Sequence, residues 1–426
     1  MSTSIEGSTG TLGGRDLRLD GADGLGGKRP QRLVRTDWGI VLVVLGLVLV
    51  GLVMVYSATF WFSYAEGGPY EGQPTFFVER QATFVALGLV MMFVVSHIDY
   101  RFYRRHALLI LMGTVGLLAL TLLVGALTPG SLGRYLRADR NSIQLSELAK
   151  LGAMIYMAVW LASKRDELRM LKVGLLPFAF MLGAMAGLII AQPDLSTGIL
   201  LIVTATAMFF VAGADLKQLS AMGLAGALGL ALIFAVLVKV FHHPAAIERY
   251  DRVRMWIENP LSDPLDEGFQ VIQVLGALTM GGFKGVGLGQ SQQKFAIYAP
   301  HSDCIIAIIG EETGMVGIVA VLTLYVLWGW RGYRIAWRAV DDYGRLLAVG
   351  LVTWVLAGAA LHVAVNTGTL PFTGDVLPFI SSGGSSLVSG LTAVGILLNI
   401  SRVSRESALT VKSGRTNGQS GREHTP

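Results

Sequence analysis

Arg249-Tyr250-Asp251-Arg252-Val253-Arg254-Met255-Trp256-Ile257-Glu258-Asn259-Pro260-Leu261-Ser262-Asp263-Pro264 is the polar heart of a stretch from about His242 to Pro300. No other long polar interval interrupts the apolar part of the chain. Seven apolar runs precede it and three follow, so the stretch reads as a loop between membrane helices rather than as a soluble domain.

The composition supports that reading. Of 426 residues, 53% are hydrophobic and only 15% are charged, against about a quarter charged in soluble domains. Apolar runs lie at roughly 38–61, 76–98, 107–128, 144–163, 173–191, 196–214, 219–241, 302–329, 346–367 and 377–400. A helix needs about 20 residues to cross a bilayer. The runs therefore predict an all-α polytopic membrane protein with ten transmembrane helices over 38–401. Segments 1–37 and 402–426, rich in Gly, Ser and charge, are expected to be disordered cytoplasmic tails. The single cysteine, Cys304, excludes an intrachain disulfide and a cysteine metal cluster. The net charge of +5 matters here through its distribution among loops, and no nucleic-acid partner is expected.

Loop charge sets the orientation. Lys28, Arg29, Arg32 and Arg35 precede the first run; Arg101, Arg104 and Arg105 follow the second. Lys164, Arg165, Arg169 and Lys172 follow the fourth, Lys217 the sixth, Arg331, Arg334, Arg338 and Arg345 the eighth, and Arg402 and Arg405 the tenth. With ten alternating helices all of these share one side, which the positive-inside rule makes cytoplasmic, with both termini. Two outer connections break the rule. One carries Arg134, Arg137 and Arg140; the other, 242–300, carries Arg249, Arg252, Arg254, Lys284 and Lys294. Cations there point to an anionic ligand such as a phosphate, set against pairing with Asp139, Glu248, Asp251 or Glu258, or with lipid headgroups. Val271–Met280 is too short to span and is expected to form an interfacial or re-entrant helix. The glycines from Gly281 to Gly289 lack the strand and the Gly-Lys-Ser/Thr of a nucleotide loop, so tight turns or close backbone approach explain them better.

Ionisable side chains at membrane depth are candidates for function. Glu147 and Lys150 lie three apart on one helix face, as a packing pair or with Lys150 turned to a substrate phosphate. Gln192 and Asp194 flank Pro193 in a short turn, where Asp194 caps or lines a cavity. His301 and Asp303 enter the eighth helix, and the adjacent Glu311 and Glu312 need partners or a wet cavity. Asn366 and the serines 381–386 flank the last loop, the serines read mainly as allowing close packing. No His-rich cluster exists, so no site built of protein ligands alone is expected for a metal.

These residues resemble the SEDS family (shape, elongation, division and sporulation), the FtsW and RodA group. The resemblance rests on Gly51-Leu52-Val53-Met54-Val55-Tyr56-Ser57-Ala58, Ser146-Glu147-Leu148-Ala149-Lys150 and Gln192-Pro193-Asp194-Leu195-Ser196-Thr197. It continues in Asn259-Pro260 with Asp263-Pro264, Gly287-Leu288-Gly289 with Gln293-Lys294, His301-Ser302-Asp303 and Gly310-Glu311-Glu312-Thr313-Gly314. It ends in Leu370-Pro371 through Leu377-Pro378 to Ser382-Gly383-Gly384-Ser385-Ser386-Leu387. In order, these cover about 38–402. The chain departs from the family pattern at Leu145, at Tyr298-Ala299-Pro300, where a family carboxylate is missing, and at Ser382, where the family has tyrosine.

The resemblance implies a glycosyltransferase that polymerises lipid II into peptidoglycan outside the bacterial cytoplasmic membrane. It implies a class B penicillin-binding protein as partner, with other divisome or elongasome membrane proteins. Use in the division septum, as in FtsW, is favoured over a RodA-like role in elongation. The family's essential loop aspartate falls on Asp263, and its helix-four Glu and Lys on Glu147 and Lys150. Such a reaction needs a base for the attacking hydroxyl and cations for the departing pyrophosphate. Asp263 is the expected base. Arg252, Arg254, Lys150, Arg137 and Lys294 are the expected phosphate-binding cations, with Glu147, Gln192, Asp194, His301, Asp303 and Asn366 around the substrate. A divalent cation, Mg²⁺ or Mn²⁺, is expected to bridge pyrophosphate and protein. A flippase for lipid-linked precursor is the rival reading. A pure scaffold would not need so many polar residues at depth.

Overall fold

A computed structural model describes residues 37–64, 72–127, 136–138, 141–192, 194–215, 217–221, 223–224, 226, 229, 244–258 and 268–420. Asp263, Arg134, Arg140, the expected N-terminal tail up to residue 36 and most of the seventh apolar run lie outside them. Among the described residues the architecture is helical, because a backbone in lipid must satisfy its own N–H and C=O groups. The helices are α1 (Trp38–Thr59), α2 (Phe76–His97), α3 (Tyr100–Arg105), α4 (Ala107–Leu127), α5 (Leu145–Ser163), α6 (Leu176–Ile190) and α7 (Leu195–Val211). They continue with α8 (Pro244–Glu258), α9 (Phe269–Gly281), α10 (Ile305–Trp337), α11 (Asp342–Asn366) and α12 (Gly384–Ser420). One antiparallel hairpin, Leu136–Ala138 with Asn141–Ile143, pairs Arg137 with Ser142 just before α5.

Among the described residues eight helices are long and apolar enough to span a membrane. They correspond to the first five and last three runs. The sixth run forms α7, at 17 residues just short of that length, and the seventh lies mostly outside the described residues. Burial separates centre from rim. In α5 and α12, 72% of the spanning window is buried, against 22% in α2 and α4. α5 and α12 therefore form the middle, with α11 packed against both, while α2 and α4 present apolar surface outward. α2 lies along α12 at close range: a Cβ at Gly395 would sit 2.6 Å from the Met92 carbonyl oxygen. Small residues let membrane helices approach this closely.

Two boundaries differ from expectation. The tenth apolar run predicts helix from 377, but α12 begins at Gly384. Pro378 and Gly383 interrupt the helix, and Phe379 sits at φ 68°, so 377–383 form a turn. At the other end α12 runs past Arg402 to Ser420, where the sequence predicts a disordered tail. No proline intervenes before Ser420 to stop the helix.

Ion pairs gather one end of the bundle. Asp37 meets Arg331 at 3.0 Å and Arg405 at 3.2 Å. Asp341 meets Arg104 at 3.7 Å and accepts from the Tyr100 hydroxyl, and Asp342 meets Arg165 at 2.6 Å. These basic residues are among those that the charge pattern assigns to a single side.

Between α9 and α10 the glycine-rich segment forms a strap docked backbone-to-backbone on α10. Val286 and Gly287 donate to the carbonyls of Glu311 and Glu312 at 2.9 and 3.0 Å, and Met315 donates back to Gly282. The exchange is possible because α10 breaks its own helix at Gly314, φ 67°. A Cβ on Gly285 would lie 2.2 Å from the Glu312 carbonyl oxygen. Glu311 and Glu312 both find partners here. Glu311 accepts from the Ser291 hydroxyl and the Gln292 amide at 2.5 and 2.8 Å. Glu312 accepts from the Ser57 hydroxyl and faces Lys294 at 3.6 Å.

Candidate active site

A polar cavity of about 200 Å³ lies where α2, α5, α10 and α12 converge. α2 contributes Arg80, Gln81 and Phe84, and the residue before α5 contributes Gln144. The approach to α10 contributes His301, Ser302 and Asp303, and the turn into α12 contributes Val376 and Ser382 to Ser386. Hydrogen bonds tie these pieces together. The Ser382 amide donates to the His301 carbonyl at 2.9 Å, and the Ser381 hydroxyl donates to the Ser302 carbonyl at 2.6 Å. Gln81 donates to the Ser381 carbonyl at 3.1 Å, and the Gln144 amide donates to the Ser385 hydroxyl at 2.9 Å. Phe379 holds its strained backbone because its ring packs edge-on to Trp328 and the Tyr325 hydroxyl donates to the Pro378 carbonyl. Strain of this kind survives only where surrounding contacts over-determine it.

The wall chemistry suits a phosphorylated, hydroxyl-rich ligand. Arg80 supplies a guanidinium fork, the serines supply hydroxyls, and the first turn of α12 brings the positive end of a helix. His301 is a neutral partner: burial, aided by the Arg80 charge, pushes it down to about 4. Its ring lies tilted against Phe77, with centroids 4.7 Å apart, and its Nδ1 is buried without a hydrogen-bond partner.

Beyond the Val376 and Ser386 wall lies a second, water-sized space of about 10 Å³ lined by Glu147, Lys150, Trp354 and Asp375. Lys150 donates to Glu147 at 2.7 Å and lies 5.0 Å from the Trp354 ring. Both side chains are about 97% buried. Asp194 stands close by. It caps α7 at Thr197 and accepts from Gln144 and Ser146 at 2.6 and 3.0 Å. Burial raises the Asp375 carboxyl to about 7, with Lys150 opposing and Glu147 and Asp194 adding to the rise.

Of the residues expected around substrate, and among the described residues, only His301 and Asp303 line the larger cavity. Asn366 supports them, donating to the Asp303 carbonyl at 3.0 Å. Glu147, Lys150 and Asp194 sit behind its wall, because the i, i+3 pair of α5 is satisfied within the helix packing. Lys294 is 1% exposed. It turns inward to Glu312 and the Gly289 carbonyl, so in this structure it closes the strap rather than facing a phosphate. Gln192 turns away as well, donating to the Leu118 carbonyl and Thr121 hydroxyl of α4 at 2.8 Å. Arg254 is exposed and paired with Glu258 at 2.8 Å, one turn along α8, and Arg252 is half-buried on the same helix. Arg137 is placed by its strand alone. Sequence reasoning passes over Arg80, Gln144 and Asp375 and reads the serines as packing. The signals available were an arginine in the first turns of an apolar helix and an aspartate between Pro371 and Pro378 in the loop before α12. Among the described residues no three His, Cys, Asp or Glu side chains converge to hold a metal.

The model of the FtsW, RodA and SpoVE family, described as a cell cycle protein, matches residues 37–406. Stage V sporulation protein E of Bacillus subtilis is 38% identical over 87% of this chain and 98% of its own length. The probable peptidoglycan glycosyltransferase FtsW of Trichlorobacter lovleyi is 36% identical over 91% of this chain and 99% of its own. Among solved structures, a chain of a peptidoglycan synthase complex described as coordinating polymerization and crosslinking matches with a TM-score of 0.69 and 26% identity, over 87% of this chain and 99% of that one. The rod shape determining protein RodA of Thermus thermophilus matches at 0.62 and 25%, over 87% and 98%.

Proposed function

This chain belongs to the FtsW, RodA and SpoVE family and is a multi-pass membrane peptidoglycan glycosyltransferase, and on that premise we propose that it polymerises lipid II for the division septum, outside the cytoplasmic membrane. The observation that carries the site is the 200 Å³ cavity, where Arg80, Asp303, neutral His301 and the serines of the α12 turn meet. It offers a phosphate one guanidinium and a helix N-terminus, and it offers sugar hydroxyls a set of neutral partners.

In the proposed reaction Asp263 takes the proton of the acceptor sugar hydroxyl as its oxygen attacks the anomeric carbon of the donor. The anomeric carbon–oxygen bond to pyrophosphate breaks on the opposite face, with inversion, and the lipid pyrophosphate departs carrying the negative charge. Pyrophosphate is already a good leaving group, so cations are needed more than a strong acid. Arg80 serves this role at the cavity, with Arg252, Arg254 and Arg137 as further phosphate contacts from the outer segments. Mg²⁺ or Mn²⁺ is the divalent cation proposed to act with the leaving pyrophosphate, since Mg²⁺ is commonly held by phosphates with few protein ligands. The cation would supply charge neutralisation of the leaving group. A class B penicillin-binding protein is the proposed partner. The likeness to a chain of a peptidoglycan synthase complex supports it.

The test is to incubate the purified protein and this partner with lipid II and Mg²⁺ and to resolve the products by length. Glycan polymer is expected. Labelled lipid II that crosses vesicles without polymer would replace this reading with a flippase.

A further inference from the structure

Asp375 has no role in the reaction as written, yet it is a buried carboxyl beside the cavity wall. It is 7% exposed, and its Oδ2 has no hydrogen-bond partner. The Glu147 Oε2 is buried and unpartnered too. Both carboxyl groups line the water-sized space that also receives Lys150. That space has room for about one water, and a buried water needs two to four polar partners. Two orphan carboxyl oxygens and an ammonium supply them. Lys150 is one cation among three acids, Glu147, Asp194 and Asp375, so an acid there is best kept neutral.

The groups facing Asp375 come from every neighbouring element. Glu147 and Lys150 come from α5, and Asp194 from the turn before α7. His362 of α11 has its Nδ1 2.9 Å from the Asp375 carbonyl oxygen. Asp303, before α10, lies against Gly374, and Ser386 of α12 lines the same space. Ser386 and Val376 are shared with the larger cavity.

We infer that Asp375 is a positioning residue for substrate phosphate: its carboxyl and that of Glu147 share the Lys150 ammonium, and the proton on Asp375 decides how much of that positive charge reaches the neighbouring cavity. With Asp375 protonated, the Glu147–Lys150 pair is balanced. With Asp375 ionised, the cluster gains one negative charge directly behind the cavity wall, and an anionic ligand is held less tightly. The inference rests on the larger cavity being the site of the lipid pyrophosphate. Burial places the change in protonation near pH 7, between an ordinary carboxylate and an ordinary amine.

The experiment measures KM and kcat for lipid II polymerisation by the complex with its partner, from about pH 6 to pH 8.5, for wild type and Asp375→Asn. In the wild type, KM should rise about tenfold through the neutral range, the order expected for one unit charge about 10 Å away in a partly buried site. In Asp375→Asn, KM should stay flat at its low-pH value, with kcat within about twofold of wild type. A variant that keeps the wild-type rise in KM overturns the inference. So does a folded variant that loses kcat at every pH with KM unchanged. Should Asp375→Asn fail to fold, infrared titration of the wild type decides. A buried carboxylic-acid carbonyl band that vanishes near pH 7 supports the assignment, and the absence of such a band contradicts it. A wild-type complex that makes no polymer at any pH removes the functional reading instead, and the infrared titration still tests Asp375.

Discussion

At the scale of single residues, the buried charges divide into pairs that hold the structure and groups that face the cavity. Lys294 and Glu312 belong to the first kind, each about 99% buried or more. Removing one partner leaves the other charged and unpaired, which costs about 3–5 kcal/mol. Lys294→Met should therefore lower the unfolding temperature in detergent sharply, while Lys294→Met with Glu312→Gln recovers much of the loss. A double variant no better than the single would refute the pairing. Asp375 carries a pH signature of its own. Its folded pKa is raised, so the folded state holds a proton that the unfolded chain releases near pH 4, and stability falls as pH climbs to about 7 and then levels. Between pH 5 and pH 8 this amounts to about 2–3 kcal/mol. Asp375→Asn should thus gain stability relative to wild type over that interval, a difference that melting curves at the two pH values measure directly. Arg80→Ala should raise KM for lipid II by roughly ten- to a hundredfold, the worth of a charge-assisted hydrogen bond to phosphate. Arg80→Lys should recover only part of it, because a point charge lacks the planar fork.

At the scale of elements, the strap and the broken α10 show what sequence can and cannot convey. The glycines from Gly281 to Gly289 were legible as tight turns or close approach, because only glycine tolerates both. That they dock on a helix broken at Gly314 was not legible, since the exchange of backbone hydrogen bonds leaves no mark in apolar periodicity. Gly285→Ala should destabilise the protein by several kcal/mol. It adds a Cβ 2.2 Å from a carbonyl oxygen at a residue with φ 78°, where L residues already lose about 1–2 kcal/mol. Gly289→Ala has a similar φ but open space around its Cβ, so it should be distinctly milder. Equal losses at the two positions would contradict the docking. Glu147 and Lys150 were legible as one helix face. That they lie behind the cavity wall depended on the start of α12, which the apolar run placed several residues too early. The same shift hid the serines, which belong to the helix entrance and not to its packed body.

At the scale of the whole molecule, length and hydropathy predicted the eight membrane-length helices found among the described residues, because a bilayer admits few backbone solutions. The cavity was less legible, since it is assembled from four separated stretches whose hydrogen bonds run across up to 300 positions of sequence. Arg80 carried no weight as a lone arginine in α2 until α12 and the approach to α10 were folded against it. The orientation can be tested with the chain's own chemistry. Cys304 is buried, and its thiol is pushed up to about 12, so it should stay silent to a membrane-impermeant thiol reagent. A cysteine introduced at Ser262 should be labelled from outside intact cells, and one introduced at Ala22 only after the membrane is opened. The reverse pattern would invert the topology and remove the active site from the outer face. The most direct measurement is glycan polymerisation from lipid II by the complex with the proposed penicillin-binding partner, comparing wild type with Asp263→Asn. Wild type should make long glycan strands and Asp263→Asn none, at equal protein and partner levels. Polymer of undiminished amount from Asp263→Asn would contradict the central assignment.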